Sequence, residues 1–142
     1  VKTVREFYKK EFDTSDVSKS SYVNYWKRAE ECFHAAQYSL RSQEWNASAI
    51  NSIHGGIAAC DAMCVYFLGK RHTGDNHNDA ATLFKSIKDT EEFSSNANRI
   101  LRILRMKNMA EYEERLVNKS EAEKIFKDCE RLLMFVKESL PG

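Results

Sequence analysis

The 142-residue chain has a single proline, Pro141, which lies next to the C-terminus. No stretch shows a sustained alternation of apolar and polar residues, the pattern of a half-buried strand. Because both strand signals and helix-breaking prolines are scarce, the sequence favours an all-helical fold. The charges nearly cancel, with a formal net charge of +1, so no global field drives binding to a nucleic acid or a membrane surface. An affinity for polyanions would need a local basic patch.

The chain also lacks the features of several other protein classes. No apolar run reaches the roughly 20 residues that a membrane-spanning helix needs, and no signal peptide is recognised, so we expect a cytoplasmic protein. It contains no Walker sequence and no G-x-G-x-x-G, which argues against a dedicated nucleotide cradle. Cys60 and Cys64 lie on one helix face, but no second closely spaced pair completes a zinc site. We expect reduced, buried thiols, no cofactor and no metal.

Apolar residues recur at three- and four-residue steps and predict a short N-terminal helix followed by five longer ones. The short helix is predicted near Val4–Phe12, and it forms residues 1–19 together with a polar linker. Residues 20–142 are predicted to form the bundle, with helices near Ser20–Ser42, Glu44–Leu68, Asn78–Lys88, Ser94–Arg115 and from Ser120 to the end. Because the connections are short, we expect an antiparallel up-down bundle of four to five main helices.

Two helix starts carry capping signals. Asp75 or Asn76 is suited to cap the helix that begins at Asn78, since both side chains accept hydrogen bonds from backbone N–H groups. Ser120 has Glu123 three residues on, which matches a capping box at the start of the last helix.

The most informative segment begins at Gly55-Gly56 and surrounds Asp61. Two glycines in mid-helix cost roughly 1 kcal/mol each relative to alanine, which usually accompanies the close approach of another backbone. Asp61 lies in an apolar stretch, where an unpaired carboxylate would cost several kcal/mol. It therefore needs a partner or must be neutral, and we expect it to anchor Arg71 or Lys107.

Histidines near this segment are candidates for chemistry. His54 lies seven residues before Asp61, on the same helix face and roughly 10 Å away, so both could point into one groove. The structural alternatives are a core histidine bonded to a backbone carbonyl and an acid in a buried ion pair. In the following loop, the spacing of His72, Asp75 and His77 could bind a metal ion, although capping and loop hydrogen bonds are their more common roles.

Basic residues follow one another on the fifth predicted helix. Arg99, Arg102 and Arg105 recur every third residue, with Lys107 just beyond. In a helix they would form a basic ridge suited to phosphate contacts. The alternative is a solvated face whose charge is balanced by neighbouring glutamates.

The order of these parts resembles the HEPN superfamily, small helical bundles found in prokaryotic toxin–antitoxin and defence systems and in some eukaryotic proteins. The matching pieces are YWKRAEECFHAAQYSL, NASAINSIHGGIAACDAMCVYFLGKR, DNHNDAATLF, ILRILRMKNMAEYEERL and the closing helix. They extend from about Tyr22 to Leu140. The resemblance implies a homodimer in which equivalent polar segments of two protomers meet in a shared cleft.

Active members of that family are metal-independent ribonucleases whose motif is an arginine, a short spacer and a histidine, often with a tyrosine close behind. Arg105 and Tyr112 match this motif, but Ala110 stands where the histidine is expected. The chain therefore lacks the group that would move the proton when a ribose 2′-hydroxyl attacks the phosphate.

We accordingly expect a binding or regulatory module for RNA, a nucleotide or a partner protein, such as a nucleotidyltransferase-type protein of a toxin–antitoxin or defence system. The residues expected to form the binding site are Asp61, Arg71, His77, Arg105, Lys107, Asn108 and Tyr112. Arg105 and Lys107 would meet phosphate, and Asn108 and Tyr112 would position it.

Two alternatives belong to other classes of protein. A divergent metal-independent ribonuclease would use His77 or His54 as its general base. A plain helical scaffold would use the polar cluster around Asp61 only to fix its packing.

Overall fold

The computed structural model describes residues 13–76 and 78–142, and this part of the chain contains five α-helices. They are α1 (Tyr22–Arg41), α2 (Trp45–Leu68), α3 (Asn78–Lys85), α4 (Glu91–Tyr112) and α5 (Lys119–Ser139). The predicted all-α bundle is confirmed. The short helix predicted at Val4–Phe12 lies outside the described residues. No helix in the described ranges is both long enough and apolar enough to cross a membrane.

The central element is α2, which packs against all four other helices. A Cβ atom added at Gly55 would lie 3.3 Å from Cys129 Sγ and 3.5 Å from the backbone oxygen of Ala29. A Cβ at Gly56 would lie only 2.6 Å from Cδ1 of Ile103. The predicted close approach of a backbone is thus found at Gly55, whereas Gly56 makes room for a side chain of α4.

Aromatic contacts join the shorter α3 to the core. The ring centroids of Phe84 and Phe93 are 5.3 Å apart, and those of Phe93 and Phe135 are 5.0 Å apart and nearly perpendicular. Because edge-to-face pairs add to the energy of apolar burial, this cluster holds α3, α4 and α5 together. It fixes the position of α3, which forms one wall of the candidate site.

A small antiparallel sheet was not predicted from the sequence. Its strands are β1 (Thr14–Asp16) and β2 (Lys70–His72). Gly69 ends α2 in the left-handed conformation, with φ of 66°, and turns the chain into β2. Strands of three residues are too short to show alternation in a sequence. Their effect is to hold Arg71 in a fixed strand rather than a free loop.

The starts of α3 and α4 are set by side chains just before them. Oδ1 of Asn76 accepts a hydrogen bond from the N–H of Asn78, so Asn76 is the side chain that caps the start of α3. The helix α4 begins three residues earlier than predicted, because Oγ1 of Thr90 accepts a hydrogen bond from the N–H of Phe93.

The capping box predicted at Ser120 and Glu123 is wrong. The structure forms it two residues earlier, where Asn118 is the N-cap and exchanges hydrogen bonds with Glu121 at 2.9 and 3.1 Å. Arg115 also binds the Glu121 carboxylate at 2.6 Å. This third partner holds Glu121 at the helix start. The capping box therefore forms at Asn118 and Glu121 rather than at Ser120 and Glu123.

Candidate functional site

Asp61 lines a cavity of about 240 Å³, which we call the Asp61 cavity. Its walls come from α2, from β2 and the residues after it, from the first turn of α3, and from α4. The polar side chains that line it include Asp61, Arg71, His72 and Lys107. The structure therefore brings together the acid and the two cations that were expected to meet, although Lys107 is 46 residues from Asp61 along the chain.

Burial controls the ionisation of Asp61. Its pKa is raised to about 6, because removal from water outweighs the positive charges of Arg71 and Arg28. Asp61 is half-buried and belongs to the apolar C-terminal half of α2. The carboxyl group is therefore ionised in most molecules at pH 7 but titrates close to neutrality.

Tyr25 of α1 gathers two guanidinium groups beside this cavity. Nη1 of Arg71 donates a long hydrogen bond of 3.5 Å to Tyr25 Oη. The Cζ atoms of Arg71 and Arg28 lie 5.8 and 5.6 Å from the centroid of the Tyr25 ring, within the range of cation–π attraction. Nε of Arg71 is buried and has no hydrogen-bond partner among the described residues. Arg71 thus keeps a donor that is not used by the described part of the protein.

A larger groove of about 780 Å³ adjoins the Asp61 cavity between α3 and α4. We call it the α3–α4 groove. Among the side chains that line it are Lys85, Asn98, Arg105 and Asn108, and Leu104 lines both this groove and the Asp61 cavity. The shared Leu104 places the two cavities on neighbouring sides of α4.

Residues 22–139 match the family model of the HEPN domain. The chain belongs to the HEPN domain family. The match covers all five helices described above and excludes β1. A comparison with curated proteins finds no match.

The residues of the HEPN ribonuclease motif do not converge in this structure. Arg105 lines the α3–α4 groove, whereas Tyr112, at the end of α4, is 77% exposed and lines neither the groove nor the Asp61 cavity. Ala110 supplies no titratable group at the position of the motif histidine. Of the predicted positioning residues, Asn108 lies at the groove and Tyr112 does not.

Of the two histidines considered as general bases, His54 belongs to the described residues and is not found in the Asp61 cavity. His54 is exposed on α2 and lines neither cavity, so the interpretation as a core histidine is wrong. Seven residues bring it back to the side of α2 that carries Asp61, but the axial distance of roughly 10 Å takes it past the end of the cavity. His77 lies outside the described residues.

The residues of the predicted basic ridge do not share one surface, because each has different surroundings. Arg102 forms a two-pronged ion pair with Asp128 of α5, at 2.8 and 3.0 Å, and so joins two helices. Lys107 follows Arg105 by two residues, which is a rotation of about 200° around α4. Arg105 therefore lines the α3–α4 groove, whereas Lys107 lines the Asp61 cavity.

Sequence reasoning missed several residues near the site. Lys85 and Asn98 line the α3–α4 groove. His72, which was considered in the loop but not among the expected binding residues, lines the Asp61 cavity. A signal was available for Arg28, because it follows Tyr25 by one helical turn.

Two buried thiols of this HEPN domain, Cys60 and Cys129, have strongly raised pKa values. All four cysteines are free. A side-chain hydrogen bond with Cys64 and burial raise the pKa of Cys60 well above its ordinary value, and burial raises the pKa of Cys129 to about 12. Across the described ranges, no group of three His, Cys, Asp or Glu side chains could hold a metal ion. The metal site considered at His72, Asp75 and His77 includes a residue outside those ranges and stays a hypothesis.

Proposed function

We propose that this HEPN domain is a binding or regulatory module that holds the phosphate of RNA or of a nucleotide. The observation that supports the proposal most directly is the convergence of Arg71, Lys107 and Arg105 on two adjoining cavities. These cations come from β2 and α4, and their presence at one place contrasts with a net charge of only +1 for the chain.

The chemistry of the Asp61 cavity suits an oxyanion. A guanidinium group presents several N–H donors in one plane and matches two oxygens of a phosphate. Arg71 has a buried Nε donor without a partner among the described residues, and Lys107 adds a second cation from the opposite wall. Asp61 offsets part of the cationic charge, and the hydrogen bond to Tyr25 holds the guanidinium group of Arg71.

The α3–α4 groove extends this site with neutral hydrogen-bonding groups. Asn98 and Asn108 each offer amide donors and acceptors, and Arg105 and Lys85 place positive charge at the groove. Such a combination suits the ribose and phosphate groups that connect successive nucleotides. We therefore assign phosphate contacts to Arg105 and Lys107 and the positioning of the ligand to Asn108.

Binding of single-stranded RNA tests this proposal directly. We expect the double variant Arg105→Ala plus Lys107→Ala to bind a fluorescently labelled RNA of twelve nucleotides about tenfold more weakly in an anisotropy titration. Because each phosphate contact to a single strand contributes a salt slope of about 0.7, the slope of log affinity against log salt should fall by about 1.4.

The matched control is Lys127→Ala plus Arg131→Ala, which removes the same charge from exposed positions of α5 that line neither cavity. If both double variants lost the same affinity, the loss would come from the change in net charge alone, which would contradict the proposal. Unchanged binding in the first variant would contradict it as well.

The divergent ribonuclease is the alternative outcome of the same experiment. RNA should stay intact with excess protein in EDTA, because Ala110 removes the motif histidine and His54 lies away from both cavities. Cleavage that is lost in His77→Ala would instead establish the enzyme and overturn a role in binding alone.

Membership of the HEPN family also supports a proposal about partners. We expect a homodimer with a shared cleft and a nucleotidyltransferase-type partner, as in toxin–antitoxin or defence systems. Light scattering after gel filtration should give twice the 16.4 kDa of the chain. A mass of one chain across the concentration range would contradict the homodimer.

A further inference from the structure

A pocket lined mainly by aromatic rings lies where α1 begins and α2 ends. Its volume is about 380 Å³, and its lining consists of Lys19, Ser20, Tyr22, Tyr66 and Phe67. We call it the aromatic pocket. None of these lining residues is acidic, and none of them lines the Asp61 cavity or the α3–α4 groove. It is therefore separate from the site described above.

The three rings of the aromatic pocket hold one another edge to face. Tyr66 packs against Tyr22 at 5.0 Å and 87°, and against Phe67 at 4.8 Å and 75°. In this arrangement the edge of one ring meets the face of its neighbour, so the rings restrain each other. Phe67 is 37% exposed, although it belongs to the most apolar helix of the chain. The pocket thus offers aromatic surface to a planar ligand at little cost in side-chain entropy.

An exposed lysine, Lys19, lies beside these rings. A Cβ added at Gly69 would lie 3.6 Å from Cε and 3.7 Å from Cγ of Lys19, so the lysine stem runs along the bare glycine. This position favours a ligand with a flat ring and a negative charge. A cationic ligand would be repelled by Lys19, and an aliphatic side chain would make no use of its charge.

The aromatic pocket is connected to the Asp61 cavity by a row of aromatic and cationic groups. Tyr25 follows Tyr22 by one turn of α1, and Arg28 and Arg71 lie over the Tyr25 ring. Arg71 in turn lines the Asp61 cavity. Along α2, Tyr66 is five residues from Asp61, an axial rise of roughly 7.5 Å and a rotation of about 140°. An oligonucleotide that contacts both places would therefore pass beside Tyr25 and Arg71 rather than straight along α2.

We propose that the aromatic pocket stacks one unpaired base of a single-stranded RNA whose neighbouring phosphates are held by Arg71 and Lys107. Lys19 pairs with the phosphate attached to the stacked base. Stacking on aromatic side chains tolerates any base, because each base has a π face. The inference rests on the proposed function, since it adds a base site to the phosphate site.

The variant Phe67→Leu tests this inference, because leucine keeps the apolar contact and removes the ring. We expect the affinity for a labelled adenine RNA of twelve nucleotides to fall about tenfold, which is within the range measured for one stacked base. Binding of inorganic triphosphate, which has no base, should be unchanged. The matched control is Tyr38→Leu, which removes a ring that is 72% exposed on α1 outside the pocket and should bind as the unmodified protein does.

A second measurement keeps the inference open to refutation if Phe67→Leu folds poorly. RNA that carries 2-aminopurine should lose fluorescence on binding to the unmodified protein, and less so on binding to Lys19→Ala, which changes an exposed side chain. Equal RNA affinity in Phe67→Leu, or no quenching of 2-aminopurine, would overturn the inference.

The two proposals fail in different ways. If Arg105→Ala plus Lys107→Ala weakens both RNA and triphosphate binding while Phe67→Leu changes neither, the phosphate site stands and the base site does not. If only Phe67→Leu weakens RNA binding, the base site stands and the proposed phosphate site is wrong.

Discussion

Two turns of the same helix, α2, illustrate opposite kinds of packing. At Gly55 and Gly56 the neighbouring helices come so close that a methyl group would meet Cys129, Ala29 or Ile103. At Asp61, about a turn and a half further on, the neighbours stand back and leave a cavity of about 240 Å³. The first region is dry and dense, and the second is polar and hollow.

Both regions contain residues that are unfavourable in their helical positions. The two regions differ in how the energetic cost of those residues is compensated. Glycine lowers helix propensity, but here it permits contacts that a larger residue would prevent. Asp61 sits in an apolar helix, and its pKa of about 6 indicates that Arg71 and Arg28 offset only part of the cost of its burial. A violation that packing does not fully compensate is typical of functional positions.

The largest effect is expected in the dense region, for Gly56→Leu. The new side chain would have to displace Ile103, which is fully buried and has no free space to enter. Overpacking of this kind costs about 3 kcal/mol, which exceeds the gain of about 1 kcal/mol in helix propensity. Urea denaturation of the variant measures the difference.

Ile103→Ala provides the matched test of that cause. Combined with Gly56→Leu, it should recover part of the lost stability, since the truncated side chain makes room for the new one. A double variant as unstable as the sum of the two single changes would refute the steric explanation.

A smaller effect is expected in the hollow region, for Asp61→Asn. Because the pKa of Asp61 is raised in the folded state, the folded protein binds more protons than the unfolded chain between pH 4 and 6. The free energy of unfolding should therefore fall as the pH rises through that window. At pH 7.5 we expect Asp61→Asn to be more stable than the unmodified protein by about 1 to 2 kcal/mol. This value follows from about 1.4 kcal/mol for each unit of pKa shift, reduced for screening by solvent.

Thermal melts at pH 4.5 and 7.5 measure this difference. The unmodified protein should lose stability between pH 4.5 and 7.5 because Asp61 ionises. Asp61→Asn should not show this loss. If both proteins change equally between the two pH values, Asp61 is not the group that titrates.

The sequence predicted the features that depend on helical period and on burial. Apolar spacing located the helices, the glycine pair indicated a close approach, and an acid in an apolar helix pointed to cations from distant segments. These predictions succeed because a helix must bury its apolar face and cannot leave a buried charge without compensation.

Features that depend on competition between similar segments could not be predicted. Asn118 and Ser120 each have a glutamate three residues on, and the contact from Arg115 to Glu121 decides between them. Likewise, the arginines of α4 look equivalent in sequence, yet Arg102 is engaged by Asp128 of another helix while Arg105 lines a groove. Only the packing of the elements distinguishes such positions.

The effect of pH on RNA affinity, compared between the unmodified protein and Asp61→Asn, tests most directly whether the Asp61 cavity binds an anion. Loss of the Asp61 charge near pH 6 should raise the affinity of the unmodified protein several-fold between pH 8 and 5.5. Asp61→Asn should already bind more tightly at pH 8 and should gain less on acidification. Parallel pH profiles for the two proteins would contradict the account.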